Sequence, residues 1–505
     1  MTDRRDKQVF ITVFVAGFLV HGFRFANKFF CEDALHYLDS ISAAWSASLG
    51  RYLLGTVEYV RGPREITWLL GVLSLLWIAL AAVFIVRIFG IRDKHCVLLA
   101  SVLLVANPVV TGTFAFLYTA DGYFFGMMLS VLAVFILEKS KKKISVLYAA
   151  LSIAASMGFY QSYLSVTIVL MMMILMLMLL GGSTLKETGM KALRFLMTGA
   201  CAVAIYFPAM IFTQKYLDVQ MADYQGINGN SSLGIGERLV SFLKGSYVEF
   251  ARFFLVRWKL SFYNVTNVLL FVLIAVLIFM LLTDKKLKEK AARAGLVLLL
   301  LLLLPLATHI FLIISNSSSY ISASTGYSMC LLYVLPLILY EKYRSGTGKE
   351  IKKFYVGMSV FIALICFCFG VTAGQVYENM YRANVMQENE ICRVQVRAET
   401  LPGYHPDMKV AVYGCTYKPQ EYIANSPMMP GAVSDLFITE DRTYVAAMNW
   451  YLSTEYTVAG EDIKKEIVST DEFGTMQMWP AQDSVRIIDD TLVIWFDDRG
   501  MEKYL

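Results

Sequence analysis

The chain has 505 residues, 57% of them apolar and 17% charged, with a mean hydropathy of +0.56. Soluble domains carry about 45–50% apolar and about 25% charged residues. Composition therefore excludes a soluble globular protein, gives no sign of nucleic-acid binding, and points to a polytopic membrane protein, mainly α-helical.

The formal net charge of +5 hides an asymmetry. Residues 375–505 hold 21 acidic and 11 basic side chains, a net of −10, so the first 374 carry +15. The eight cysteines follow no metal-ligand spacing, and no nucleotide-binding glycine loop occurs. Val9–Val20, the first apolar stretch, follows Arg4, Arg5 and Lys7 and is not followed by a small-residue cleavage site, which predicts a retained first helix. At roughly 20 apolar residues per crossing, eleven spans are expected at 8–23, 66–86, 96–112, 116–137, 144–159, 163–181, 192–212, 265–283, 295–315, 327–341 and 355–374. Lys and Arg concentrate in alternate short loops, among them Arg87/Arg92/Lys94, Lys139/Lys141/Lys142/Lys143 and Lys186/Lys191/Arg194. The positive-inside rule makes those loops cytoplasmic. The N-terminus is then inside, and loops 24–65 and 213–264 and the C-terminal region are outside.

The first outer loop carries the adjacent acids Glu32 and Asp33, with Arg24 and Lys28 before them and Arg51, Arg61 and Arg64 after. Leu35, Leu38, Ile41, Trp45 and Leu49 step by three or four and predict one amphipathic helix between the acids and Arg51. Acids ringed by cations at a bilayer surface suit chemistry on a phosphate-bearing lipid; a charged juxtamembrane loop is the plainer reading. Outer loop two begins polar and glycine-rich and continues as an apolar stripe, Leu239, Phe242, Leu243, Tyr247, Phe250, Phe254 and Trp258, with Lys244, Glu249, Arg252 and Lys259 opposite. This predicts an interfacial helix whose basic face suits a lipid phosphate. Polar groups at membrane depth are few and tend to be functional: Asp121, the Tyr160-Gln161 turn and His309, all near the outer ends of their spans. A transporter would place such groups near the midplane instead.

Residues 375–505 hold no spanning run. Strands are expected at 409–413 and 454–459, a hairpin at 485–496 turning at Asp489-Asp490, and helices at 376–398, 442–453 and 461–468. This describes a small extracytoplasmic α/β domain, with a Cys392–Cys415 disulfide left open.

In order and topology these motifs resemble the GtrII-type glucosyltransferase family of bacteria. The resemblance rests on Glu32-Asp33, then Trp45, then Gly50-Arg51, the FLYTADGYFFG stretch around Asp121, and Tyr160-Gln161. It spans most of residues 8–374. Where an Arg is expected before the tenth span, the chain has only SNSSSYISASTGY; that moves the donor-phosphate role to Arg51 and the basic face around Arg252. The resemblance implies a GT-C type, inverting hexosyltransferase of the bacterial plasma membrane. Its donor would be undecaprenyl-phosphate glucose or a similar hexose carrier, and its acceptor a surface glycan or lipid-linked precursor. Glu32 or Asp33 would serve as general base. Arg51, with Arg24, Lys28 and Arg252, would hold the donor phosphate; Trp45, Asp121, Tyr160, Gln161 and His309 would contact substrate. No metal or other cofactor is expected, although the acid pair has the chemistry to take a divalent cation. The competing readings are a lipid-linked sugar flippase and a non-enzymatic envelope assembly protein.

Overall fold

The computed structural model describes residues 4–31, 33–35, 43–62, 65–222, 234–255, 263–283, 287–313, 323–348, 351–414 and 440–504. Within them the chain is mainly helical. The chain divides into two compact units: Met1–Ala26, Ser42–Val376 and Pro427–Ala432 form the first, and Asn27–Ile41, Tyr377–Ser426 and Val433–Leu505 the second.

In the first unit, helices occupy all eleven segments expected to span. Among the described residues, however, nine are long and apolar enough to cross a membrane: Arg4–Ala26, Thr67–Phe89, Lys94–Ala115, Leu117–Lys139, Gln161–Leu180, Leu185–Tyr216, Asn264–Leu282, Lys290–Thr308 and Lys352–Glu399. The other two differ for separate reasons. Ile144–Phe159 has 16 residues, about 24 Å at 1.5 Å per residue, which is short of a hydrocarbon core of about 30 Å. Tyr327–Thr347 is buried at every position from Tyr327 to Glu341 and ends in Glu341, Lys342 and Arg344. Those three charges stop its apolar run at Tyr340, short of a spanning length.

Proline sets one internal break. Pro108 cannot extend the helix Lys94–Ala106. Asn107 bridges the gap: its amide donates to the Leu103 and Leu104 carbonyls at 3.0 Å, and its side-chain oxygen accepts from Val110 N–H at 3.1 Å. Both halves therefore continue as one apolar segment.

Polar contacts fix the first span to its neighbours. His21 Nε2 lies 2.9 Å from the Val105 carbonyl. Asp6 pairs with Arg87. Arg24 is fully buried, its Nε donating to the Phe114 carbonyl at 3.0 Å and its Nη2 to Glu65 Oε1 at 2.9 Å. A second network ties Asp93, Glu341, Arg344 and Tyr355 together. Arg344 reaches Asp93 at 3.1 Å and Glu341 at 3.2 Å, and Tyr355 donates to Asp93 at 2.6 Å.

The second outer loop forms the helix Ile235–Leu255. Phe242, Ser246, Glu249, Phe253 and Phe254 are its buried residues, whereas Leu239, Leu243 and Tyr247 are exposed. The buried face is thus rotated from the expected stripe, and Glu249 turns inward rather than joining the basic side. Trp258 and Lys259 lie outside the described residues.

The second unit contains a four-stranded mixed sheet in the order β2-β1-β4-β3. Its strands are β1 (Lys409–Tyr413), β2 (Thr457–Val458), β3 (Val485–Ile488) and β4 (Thr491–Trp495). β1 runs parallel to β2 and β4, and β3–β4 is an antiparallel hairpin. Asp489 and Asp490 turn it, both with positive φ, as a two-residue I′ turn requires. Ala411, Tyr413, Ile467, Phe473, Ile488 and Val493 build the core. Asn384 explains why Asn27–Ile41 belongs here: its side chain accepts from Phe30 N–H at 2.7 Å and donates to the Phe30 carbonyl at 2.8 Å. Lys28 adds a cation–π contact, its Nζ 3.8 Å from the Trp450 ring centre. Cys392 is exposed; Cys415 lies outside the described residues.

Removing one partner of a buried ion pair leaves an uncompensated charge and costs about 3–5 kcal/mol. Arg24→Met is expected to lower stability by that amount in thermal unfolding of the detergent-solubilised protein. Adding Glu65→Gln should recover much of the loss, since no buried charge then remains.

Candidate active site

The site starts from a bend. The helix Ala43–Ser48 is short, and Gly50 follows it with φ +75°. That conformation favours glycine, and it ends the helix where the apolar stripe predicted continuity through Leu49. Leu35 and Leu49 are buried, Trp45 is 43% exposed, and Leu38 and Ile41 fall outside the described residues. Side chains from two other elements clamp the bend. Gln161 Nε2 donates to the Leu49 carbonyl at 2.7 Å and to Tyr206 Oη at 3.1 Å, while Tyr206 donates to the Gly50 carbonyl at 3.0 Å. Gln161 stands on the 3-10 turn Gln161–Tyr163 and Tyr206 on Leu185–Tyr216.

This clamp aims Arg51, the residue before the helix Tyr52–Arg61. Arg51 Nη1 donates to Tyr123 Oη at 3.0 Å, and its guanidinium carbon lies 4.7 Å from the Tyr160 ring centre. Tyr160 stacks on Tyr123 at 4.7 Å and meets Tyr163 edge-on at 5.4 Å. A planar cation over an aromatic face is an arrangement that a lysine reproduces poorly.

Further along the same helix, Glu58 and Arg61 are three residues apart and share a face. Arg61 bonds both the Asp121 carboxylate and the Tyr118 carbonyl. Glu58 is 1% exposed, and neither carboxylate oxygen has a hydrogen bond. Burial pushes its pKa up to about 8; Arg61 opposes the rise, Asp121 adds to it, and Arg51 and the nearby Ser46 hydroxyl oppose it more weakly. Burial thus favours the protonated form of Glu58.

Of the residues singled out by sequence, Arg51, Asp121, Tyr160 and Gln161 are brought together here. Glu58, Arg61, Tyr123 and Tyr206 complete the cluster. The signal for Glu58 was local: one acid and one Arg, three apart, in the otherwise neutral ten-residue helix YLLGTVEYVR. Asp33 and Lys28 belong to the second unit, and Glu32 lies outside the described residues. Arg24 is committed to Glu65 and Phe114. Arg252 is 45% exposed and bonds Glu249 at 2.7 Å. His309 is buried, with Nδ1 2.9 Å from Thr308 Oγ1 and 3.1 Å from the Pro305 carbonyl. Among the described residues no three His, Cys, Asp or Glu side chains converge as metal ligands do.

Compared with known proteins, the chain is matched over residues 22–337 by the model of the family described as Glucosyl transferase GtrII. No curated protein and no solved structure matches it. The matched range contains the whole cluster from Gly50 to Tyr206.

A Cβ at residue 50 would lie 2.5 Å from Gln161 Nε2 and 2.7 Å from Tyr206 Oη, in a conformation that costs an L-residue about 1–2 kcal/mol. Gly50→Ala is expected to lower stability by at least that amount and to displace Arg51. Thermal unfolding and transfer rate, measured on the same preparation, should both fall.

Proposed function

The chain belongs to the glucosyl transferase GtrII family and is a membrane glycosyltransferase, and from that premise we propose that it moves glucose from a polyprenyl-phosphate carrier to a surface glycan or lipid-linked precursor on the outer face of the bacterial plasma membrane. The observation that supports the donor most is the cluster around Arg51. Two guanidiniums, Arg51 and Arg61, stand among tyrosine hydroxyls and rings in a largely buried site. Such donors stabilise the charge that develops on a departing phosphate.

In the proposed reaction, Glu32 or Asp33 takes the proton of the acceptor hydroxyl. The acceptor oxygen bonds to the anomeric carbon as the bond from that carbon to the phosphate oxygen breaks. The electron pair leaves on polyprenyl phosphate, and a single displacement inverts the anomeric centre. A lipid monophosphate leaving group needs no metal to depart. Were Asp33 only a helix cap, its loss would cost about 1 kcal/mol of stability, whereas a general base contributes about 10²–10⁴-fold in rate. The two roles are thus separable by measuring rate and stability together. The alternation of basic loops places the second unit outside the cell in this reading.

The test incubates purified protein with polyprenyl-phosphate hexoses and envelope glycan. Asp33→Asn and Glu32→Gln are expected to hold their melting temperatures while at least one loses about 10²–10⁴-fold in rate; near-normal rates in both exclude the pair as the base. Arg51→Lys keeps the charge but loses the planar fork, so its rate should fall well below wild type at unchanged protein level. Orientation has a native probe in exposed Cys392. After mild reduction, a membrane-impermeant maleimide should label it in intact cells, with the signal lost in Cys392→Ser; labelling only after cell lysis would place the second unit inside.

A further inference from the structure

We propose that Glu58, buried beside Arg61 and Asp121, governs the affinity of the Arg51–Arg61 cluster for the donor's phosphate, and that a negative charge on it weakens donor binding. The inference rests on the polyprenyl-phosphate reading above and adds a residue and a pH dependence to it.

Arg61 is one guanidinium beside two carboxylates. It bonds Asp121 and the Tyr118 carbonyl, and its buried Nε has no hydrogen-bond partner. Glu58, three residues earlier on the same helix, has no close hydrogen bond on either oxygen, the Ser46 hydroxyl interacting only weakly. A buried carboxylate left without donors takes up a proton rather than keep its charge.

The surroundings of Glu58 can be named element by element. The helix Ala43–Ser48 brings the Ser46 hydroxyl; Arg51 immediately precedes the helix of Glu58, and Arg61 ends it. The helix Leu117–Lys139 brings Asp121. The charged groups acting on Glu58 among these are Arg61, Asp121 and Arg51. Whatever else surrounds the site, ionising Glu58 adds one negative charge at the position where an anion must bind.

The donor is a phosphodiester with one charge across the neutral and alkaline range, so any change in its affinity there reports the protein's own titration. If the protonated form alone binds, KM for the donor rises about tenfold for each pH unit above the folded pKa, which for Glu58 is about 8. Polyprenyl monophosphate, the product, has its second ionisation near pH 6 by analogy with other phosphate monoesters and carries more charge than the donor. An ionised Glu58 therefore disfavours retained product more strongly than donor.

The experiment measures donor KM and kcat from pH 6.5 to 9.5 on the full-length protein in lipid nanodiscs. In wild type, KM is expected to be flat to about pH 8 and then to rise. Glu58→Gln, fixed in the neutral state, should remove the rise. Asp121→Asn frees Arg61 to bond Glu58 and removes a like charge, so the break should move to lower pH by about a unit or more. A purely structural Glu58 would alter the yield of active protein, hence kcat, and leave the break in place. A flat wild-type KM, or a wild-type break retained in Glu58→Gln, overturns the inference. If Glu58→Gln does not fold, an unmoved break in Asp121→Asn overturns it instead. Absence of transfer by wild type from every polyprenyl-phosphate hexose refutes the donor reading itself, whereas transfer with a flat KM refutes only the role of Glu58.

Discussion

A charge buried away from water must be matched, and this requirement organises the first unit. Arg24 with Glu65, Asp6 with Arg87, Arg61 with Asp121, and Arg344 with Asp93 join residues far apart in the chain. Isolated buried charges cost far more than hydrogen-bonded ones. Each of these pairs therefore specifies which helices lie side by side, in a setting where apolar surface alone discriminates poorly between neighbours. Glu58 departs from the pattern: its helix supplies one cation, and Asp121 has it.

The Gly50 bend depends on the same economy of polar groups. A helix that stops inside the protein leaves carbonyls to be satisfied. Gln161 and Tyr206 satisfy those of Leu49 and Gly50. In doing so they fix the direction in which Arg51 and the next helix leave. The tyrosine stack Tyr123–Tyr160 then gives the Arg51 guanidinium a flat surface to lie on. Structural satisfaction and site geometry are here the work of the same side chains.

The segment bearing Asp33 follows a different constraint. Asn384 reads the backbone of Phe30 from both sides, as a neighbouring strand would, and Lys28 lies over Trp450. Asn27–Ile41 is thus built into the second unit although it leaves the first span directly. The 48-residue helix Lys352–Glu399 likewise begins in the first unit and ends in the second. The chain passes between the units more than once.

The sequence by itself determined the membrane character, the placement of the helical segments, the short strands of the second unit and the family. These follow from apolar run length, period and motif order, which are local properties. It also marked Arg51, Asp121, Tyr160 and Gln161, because polar residues stand out against an apolar background. Only tertiary structure decided that these four share one site with Glu58. The charge of Glu58 is set by burial and by competition for Arg61, and neither is written in the ten residues around it. Likewise nothing in the local pattern shows that Gln161 and Tyr206 bond the Leu49 and Gly50 carbonyls, because partners so distant in sequence leave no trace in it.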